Sequence, residues 1–448
     1  MIVTTNGRST ADPLLADLLK EIDSREEGRI AYALIERLYP ICRSITGNGV
    51  RRSLRLLRET LPLALREIIS GTQIFDWTVP DEWNIRDAYI MNEAGERVID
   101  FRRSNLHVLN YSIPVNLKIS LAELRPHLFT LPEAPDWIPY RTSYYQENWG
   151  FCLSQHQLDK LEEGEYWVYI DSTLRPGHLT YGEFRIQGAT DDEVLISCHS
   201  CHPALCNDNL SGMATAVRLA SLLQGVSLRY SYRFLWIPGT IGSITWLALN
   251  EAMVPRIKHG LVLSCVGDPG KLTYKRSRRG DAEVDRAVEH VLQHSGHDFQ
   301  VLDFTPYGYD ERQYCSPGFN LPVGCFMRTP NGCYPEYHTS ADDLSLVTPS
   351  ALGDSLVQLL RVIQVLEGNG RYTNLNPKCE PQLGRRGLYR QMGGIKSAAT
   401  LEMAFLWILN FSDGQHDLLD IAVRSGVPFE QISEAASVLG KAGLLAPI

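Results

Sequence analysis

The chain has 448 residues, with 43 Lys and Arg against 52 Asp and Glu, and a formal net charge of −9. An apolar share of 44% marks a globular chain rather than a disordered one, and the acidic balance gives no electrostatic reason to bind nucleic acid or an anionic membrane. The length predicts about two to three domains.

Asp12, Asp17, Glu21, Asp23, Glu26 and Glu27 crowd the start of the chain, which argues against a secretory signal or a basic transit peptide. No apolar run reaches the ~18 residues needed to span a bilayer; the run from Leu401 to Phe411 is interrupted by Glu402 and Asn410. Ten cysteines form no disulfide framework at this length. The expectation is a cytoplasmic protein with reduced thiols.

In chain order, residues 10–65 read as helices. Leu14, Leu15, Leu18 and Leu19, then Ile30, Ala33, Leu34 and Leu38, recur at helical spacing. A further periodic run extends from Leu54 to Ile69. From Phe75 to about Gly150 the chain is rich in Trp, Tyr, Pro and Asn. Ala88–Met91 and Arg97–Phe101 look like strands joined by a turn at Asn92–Gly95, so this stretch reads as a small β-rich domain.

From Glu165, short apolar runs alternate with helical stretches such as Met213–Leu223 and Val284–Leu292. The runs are Tyr166–Ile170, Val194–Ser197, Arg233–Ile237, Leu261–Cys265 and Val323–Met327. That alternation predicts an α/β core whose mostly parallel sheet is covered on both faces. Residues 370–390 read as a linker. Ala398–Leu409, His416–Arg424 and Phe429–Gly440 read as helices before a β-prone tail, the pattern of a winged helix.

In such a sheet, sites form beyond the carboxyl ends of strands. His199, His202, Asp208, Asp268 and His338 all fall there. Histidine and carboxylate ligands around an open position are what a catalytic zinc needs. Asp208 precedes a predicted helix, with Ser211 as its expected cap. Cys198, His199, Cys201, His202 and Cys206 lie within nine residues, so a structural zinc is an alternative, although no second cysteine pair completes one. Cys201 beside His202 leaves a thiol nucleophile open. Arg141, Tyr144, Tyr145 and Trp149 are candidates for lining a substrate cleft.

The segment after the strand at 194–197, with Asn207-Asp208-Asn209-Leu210-Ser211-Gly212 and Tyr337-His338-Thr339-Ser340-Ala341-Asp342, resembles the zinc aminopeptidase superfamily. More closely, the chain resembles a bacterial and archaeal aminopeptidase-like group of uncertain function. Further hallmarks of that group are Pro40–Gly47, Asp76–Ile85, Ser104–His107 with Tyr111-Ser112, Trp149–Cys152 and Asp310–Tyr314. The resemblance implies an aminopeptidase-like core over 1–67 and 166–375, an inserted β-rich domain over 68–165 and a winged-helix-like domain over 390–448.

The resemblance also implies roles. Asp208 would be the metal-bridging carboxylate and His338 the late metal-binding histidine. His199 lies where the superfamily's first histidine falls, with Cys201 replacing the aspartate that orients it. His202, specific to the closer group, is an equal ligand candidate. Two positions depart from the pattern. Gly239 stands where a glutamate supplies the general base, and Ser264 or Cys265 stands where a later aspartate binds metal. One zinc is therefore expected, with a second left open, and Asp268 could reach the site in place of the later aspartate. The role of the missing catalytic carboxylate falls to Glu311, Glu336 or Asp268, or is lost.

The leading expectation is a zinc-dependent amide hydrolase of aminopeptidase type, acting on a small peptide or an aminoacylated metabolite. The alternatives are a non-catalytic binding protein on a peptidase scaffold and a regulator using the winged helix. From Ile395 onward, Lys396, Arg424 and Lys441 face Glu402, Asp413, Asp417, Asp420, Glu430 and Glu434, a net charge of −3. DNA-reading helices are basic, so this domain reads as a protein-contact module, a candidate surface for a homo-oligomer, and no nucleic-acid partner is expected.

Overall fold

The computed structural model of the protein describes residues 15–388 and 396–448, so Leu14 lies outside the described residues. Two units result, Met1–Gly280 with Gln300–Val357, and Asp281–Phe299 with Gln358–Ile448. The apolar runs at 194–197, 233–237, 261–265 and 323–327 become strands of one eight-stranded sheet. Its spatial order is Ala64–Ile69, His178–Ile186, Ser231–Ile237, Glu193–His199, Ile257–Leu263, Val323–Met327, Leu272–Lys275 and Phe299–Leu302.

The four central strands of that order, Ser231–Ile237 to Val323–Met327, run parallel. Antiparallel neighbours flank them. Every residue of Glu193–His199 and Ser231–Ile237 is buried, as expected for strands covered on both faces. The chain leaves Glu193–His199 through the helix Gly212–Leu223 to one neighbour. It returns through Ile241–Leu249 to the strand on the other side. The strand order thus reverses at Glu193–His199, and a crevice opens at its carboxyl end.

Several elements differ from expectation. The periodic run Leu54–Ile69 divides into a helix, Asn48–Leu57, and an edge strand, Ala64–Ile69. Pro62 lacks an N–H to continue the helix, and antiparallel pairing with His178–Ile186 outweighs the helix propensity of Ala-Leu-Arg-Glu. The run Tyr166–Ile170 belongs to a strand, Glu165–Arg175, outside the core sheet. It pairs with Glu82–Met91 and Val115–Ser120 in a four-stranded sheet completed by Arg97–Asp100. Tyr166, Val168 and Ile170 point inward while exposed Trp167 alternates with them; that period of two is the mark of a half-buried strand. Finally, the expected linker begins with a strand, Arg371–Asn374. It lies between Asp413–Asp417 and Leu445–Pro447 in a three-stranded sheet.

The second unit sets that small sheet beside the helices Lys396–Phe411, Leu418–Ser425 and Phe429–Lys441. Residues 416 and 417, expected to be helical, end the strand Asp413–Asp417. The Asp417 carboxylate then caps the next helix by accepting from Asp420 N at 2.7 Å. Gly426, at φ 67°, ends that helix in the left-handed region. Among the described residues no helix is long and apolar enough to cross a membrane.

Candidate metal centre

Asp208 sits in an irregular turn, Cys206–Ser211, between the strand Glu193–His199 and the helix Gly212–Leu223. The loop after Val323–Met327 holds this turn through Asp342. Its carboxylate accepts from Asn207 N at 2.6 Å and from Asp208 N at 3.0 Å. Four residues earlier on the same loop, His338 brings Nε2 to 3.0 Å from Asp208 Oδ2. The segment 337–342 therefore fastens the backbone of Asp208 with one end and meets its carboxylate with the other. Burial, with the negative charge of Asp208, pushes the Asp342 carboxyl up to about 7. Ser211, expected to cap the helix, does not. Its hydroxyl donates to Asn207 O at 2.7 Å and accepts from Val266 N at 3.0 Å, tying the turn to the next strand end.

The two oxygens of Asp208 face different partners. Oδ1 is 2.7 Å from His199 Nε2. Oδ2 accepts from the Tyr309 hydroxyl at 2.7 Å, faces His338 Nε2, and is 3.9 Å from His202 Nε2. Asp208 is fully buried. Burial opposes its ionisation, but the neighbouring imidazoles of His202 and His199 and hydrogen bonds from His199 and His338 hold its carboxyl well below the ordinary range. Burial pushes the His202 imidazole well below its usual value against the pull of Asp208, which keeps it neutral.

Hydrogen-bond partners separate the two histidines. Asn209 Oδ1 accepts from Gly212 N and Cys265 N, both at 3.2 Å, which fixes the orientation of its amide. Its Nδ2 therefore faces His199 Nδ1, at 3.2 Å. A ring nitrogen facing a donor accepts, so the N–H of His199 lies on Nε2, aimed at Asp208. His202 has the opposite arrangement. Its Nδ1 is 3.6 Å from Cys201 Sγ, and that thiol lies 3.8 Å from Gly239 O. With Nδ1–H directed at sulfur, the lone pair of Nε2 faces Asp208.

His199, His202 and Asp208 can bring ligand atoms within 4.8 Å of one another, and His338 reaches the same carboxylate. Nitrogen and oxygen donors around an ionised, buried carboxylate fit zinc. No cysteine joins this cluster among the described residues. Burial pushes the Cys201 thiol up to about 12, so it is no thiolate at neutral pH.

Glu311 is buried in an ion pair with Lys275 at 2.7 Å, and its other oxygen accepts from Tyr309 N at 3.1 Å. Glu336 is half-buried and contributes its backbone carbonyl to Thr339. Neither side chain lines the cavity of about 330 Å³ beside His202 and His338. Asp268 lies one step behind the turn, accepting from Asn207 Nδ2 at 2.9 Å and Thr329 Oγ1 at 2.6 Å. Arg141 and Tyr144 line the cavity, whereas Trp149 stacks on His127 at 3.6 Å and Tyr145 packs on Trp77.

Sequence reasoning missed Tyr309, Tyr140 and Asp310. Tyr309 bonds Asp208 and stacks on His199 at 3.9 Å. Tyr140 N donates to His338 O at 2.7 Å. The only hint was the Asp310–Tyr314 motif, which Asp310 opens and Tyr309 immediately precedes. A Cβ on residue 239 would lie 3.1 Å from His199 Cβ and 3.7 Å from Asp310 Oδ1. Gly239 thus permits a close approach, and a carboxyl from another loop stands beside the position that lacks one. Asp310 is fully buried, its Oδ1 accepts from Ser243 at 2.8 Å, and its Oδ2 has no partner among the described residues. Burial pushes this carboxyl up to about 6.

Two family models match the chain. One, described as a domain of unknown function (DUF4910), matches residues 32–369, and one described as winged helix-turn-helix matches residues 370–447. A Clostridium acetobutylicum protein, named as a candidate polysaccharide biosynthesis protein with an aminopeptidase-like domain, is 53% identical over 94% of this chain and 97% of its own. A crystal structure of a candidate peptidase from C. acetobutylicum superposes with a TM-score of 0.92 at 50% identity, covering 97% of this chain and 99% of that one. A zinc aminopeptidase from Bacillus subtilis shares the fold at a TM-score of 0.56 and 14% identity, covering 76% of this chain and 95% of that one.

Proposed function

Since the chain belongs to the DUF4910 family, with an aminopeptidase-like fold and a winged helix-turn-helix at its end, we propose that it is a zinc-dependent amide hydrolase of aminopeptidase type. One zinc is held by Asp208, His202 and His338, while His199 is the donor that fixes Asp208. The observation that carries this reading is the convergence on Asp208 Oδ2 of His338 Nε2 at 3.0 Å and His202 Nε2 at 3.9 Å. When bound, zinc supplies Lewis-acid polarisation of the scissile carbonyl and of the attacking water.

The chain's own groups do the rest. Tyr309, whose burial pushes its phenol well above the ordinary range, stays protonated and keeps its hydrogen bond to Asp208 at the cavity wall. Asp310, which stands behind Gly239 rather than in the cavity lining, is the carboxyl beside the position that lacks one and takes the proton in transit. The cavity lining includes Arg141 and Arg312 and no Asp or Glu. Buried Arg312 Nε has no partner among the described residues. Guanidinium groups recognise carboxylates in a planar fork, so the substrate carries a free carboxylate, as a small peptide does.

Elemental analysis of purified protein tests the metal assignment. About one zinc per chain is expected in the wild type, with sharp losses in His202→Ala and His338→Ala and retention in His199→Ala. A wild type without zinc overturns the metallo-site, and equal loss in all three variants overturns the role given to His199.

A second reading, a binding protein on a peptidase scaffold, is favoured by the absence of a carboxylate from the cavity lining. It predicts tight binding and no turnover of small peptides by zinc-loaded protein. The relative's name raises a role in polysaccharide biosynthesis, for which the same cavity would take a carboxylate-bearing amide of a sugar.

A further inference from the structure

Three of the segments singled out in the sequence take little part in the metal centre, and they meet elsewhere. Pro40–Thr46, Trp83–Ile85 and Ser104-Asn105 line one cleft of about 710 Å³. It shares no lining residue with the metal-site cavity, and it is large enough for a ligand of nucleotide size. Its charged lining is Arg52, Arg86, Arg102, Arg103 and Arg175 against Asp171 alone.

Two of these arginines are satisfied. Arg86 grips Asp171 with bonds of 2.8 and 2.6 Å, and Arg102 reaches Asp87 at 2.8 Å. Arg52, Arg103 and Arg175 are exposed and form no side-chain hydrogen bond or ion pair among the described residues. A chain with an overall charge of −9 thus gathers three unpaired guanidinium groups in one concavity. Asn105 adds an acceptor, for its Oδ1 is buried without a partner among the described residues. A buried polar atom left unsatisfied is costly, and a ligand hydroxyl would satisfy it.

We propose that this cleft binds a phosphorylated, hydroxyl-bearing metabolite of the sugar phosphate class, its phosphate on the unpaired arginines and a hydroxyl on Asn105 Oδ1. Guanidinium forks match phosphate oxygens bidentately, and a phosphate carries close to two charges at neutral pH, which suits more than one arginine. The site is independent of the metal chemistry. Its floor nevertheless borders the metal loop, because Ala204 lines it and Arg43, between the lining residues Cys42 and Ser44, donates to His202 O at 2.8 Å.

Titration calorimetry on full-length, chelator-treated protein at low salt tests the proposal with glucose 1-phosphate, inorganic pyrophosphate and citrate. Saturable binding of the first two is expected. Arg103→Ala and Arg175→Ala should each weaken both by about tenfold or more. Asn105→Ala should weaken glucose 1-phosphate alone. The arginines are exposed, so these variants should keep the wild-type thermal transition. No saturable binding at millimolar ligand, binding unchanged in both arginine variants, or citrate binding as tightly as glucose 1-phosphate would each overturn it.

Discussion

Cys201 shows how much a single side chain does at this centre. Its sulfur faces His202 Nδ1 at 3.6 Å and so selects the tautomer that leaves Nε2 free. A ligand whose second nitrogen loses its partner typically binds metal 10- to 100-fold more weakly, on the order of other outer-shell losses. Cys201→Ala is therefore expected to lower zinc affinity by about tenfold, with Cys201→Ser retaining most of it; competition with a chromophoric chelator measures both. Asp310 is the second such residue. Asp310→Asn should reduce turnover by about 10² to 10⁴ with zinc content unchanged. If turnover is unchanged while Glu311→Gln or Glu336→Gln is inactive, the proton passes through one of those carboxylates instead. Gly239→Glu is a poor restoration, since the new Cβ would press on His199 Cβ at 3.1 Å.

At the scale of elements, the helix Phe429–Lys441 is held at its start by a histidine. His290, 2% exposed, accepts from Phe429 N at 3.1 Å through Nε2, and its Nδ1 is buried without a partner among the described residues. Burial, with a smaller effect from His294, pushes its pKa down to about 4. In the unfolded chain a histidine titrates near 6.5. Between these values the unfolded state binds the extra proton, so stability rises with pH there. The contribution is fully present above about 6.5 and is lost as the pH falls through about 4, at most about 3 kcal/mol. Amide-exchange protection of Phe429–Lys441, corrected for intrinsic rates, should fall over that window. His290→Gln, which keeps an acceptor but no titrating group, should remove the dependence.

For the whole molecule, the charge distribution sets the winged-helix unit apart from DNA-binding domains. In the winged-helix unit Glu430 and Glu434 are exposed on the helix that would enter a DNA groove, and Arg424 lies over the Phe411 ring at 4.9 Å. Phosphate contacts supply most non-specific DNA affinity, and this face has few groups to make them. We propose that the unit contacts protein. Fluorescence anisotropy at low salt should show no DNA binding beyond that of an acidic control, and micromolar, salt-sensitive binding would overturn this.

Residue type and period by themselves determined the α/β core, the four central strands and the winged-helix end, because buried parallel strands must be continuously apolar and amphipathic helices must repeat every 3.6 residues. They also determined that His199, His202, Asp208 and His338 lie at strand ends. Pairing partners were decided only by the tertiary structure. Ala64–Ile69 and Arg371–Asn374 are strands because distant segments supply their hydrogen bonds; local propensity carries no record of that. Aromatic Trp167 and Tyr169 hid the alternation of Glu165–Arg175 for a related reason, since an apolar ring does not reveal which face is wet. The roles of the two loop histidines, the carboxyl of Asp310 beside Gly239 and the arginine cleft are likewise properties of three-dimensional neighbours. Each depends on which donor or acceptor meets a given atom, and that is set by segments up to hundreds of residues apart.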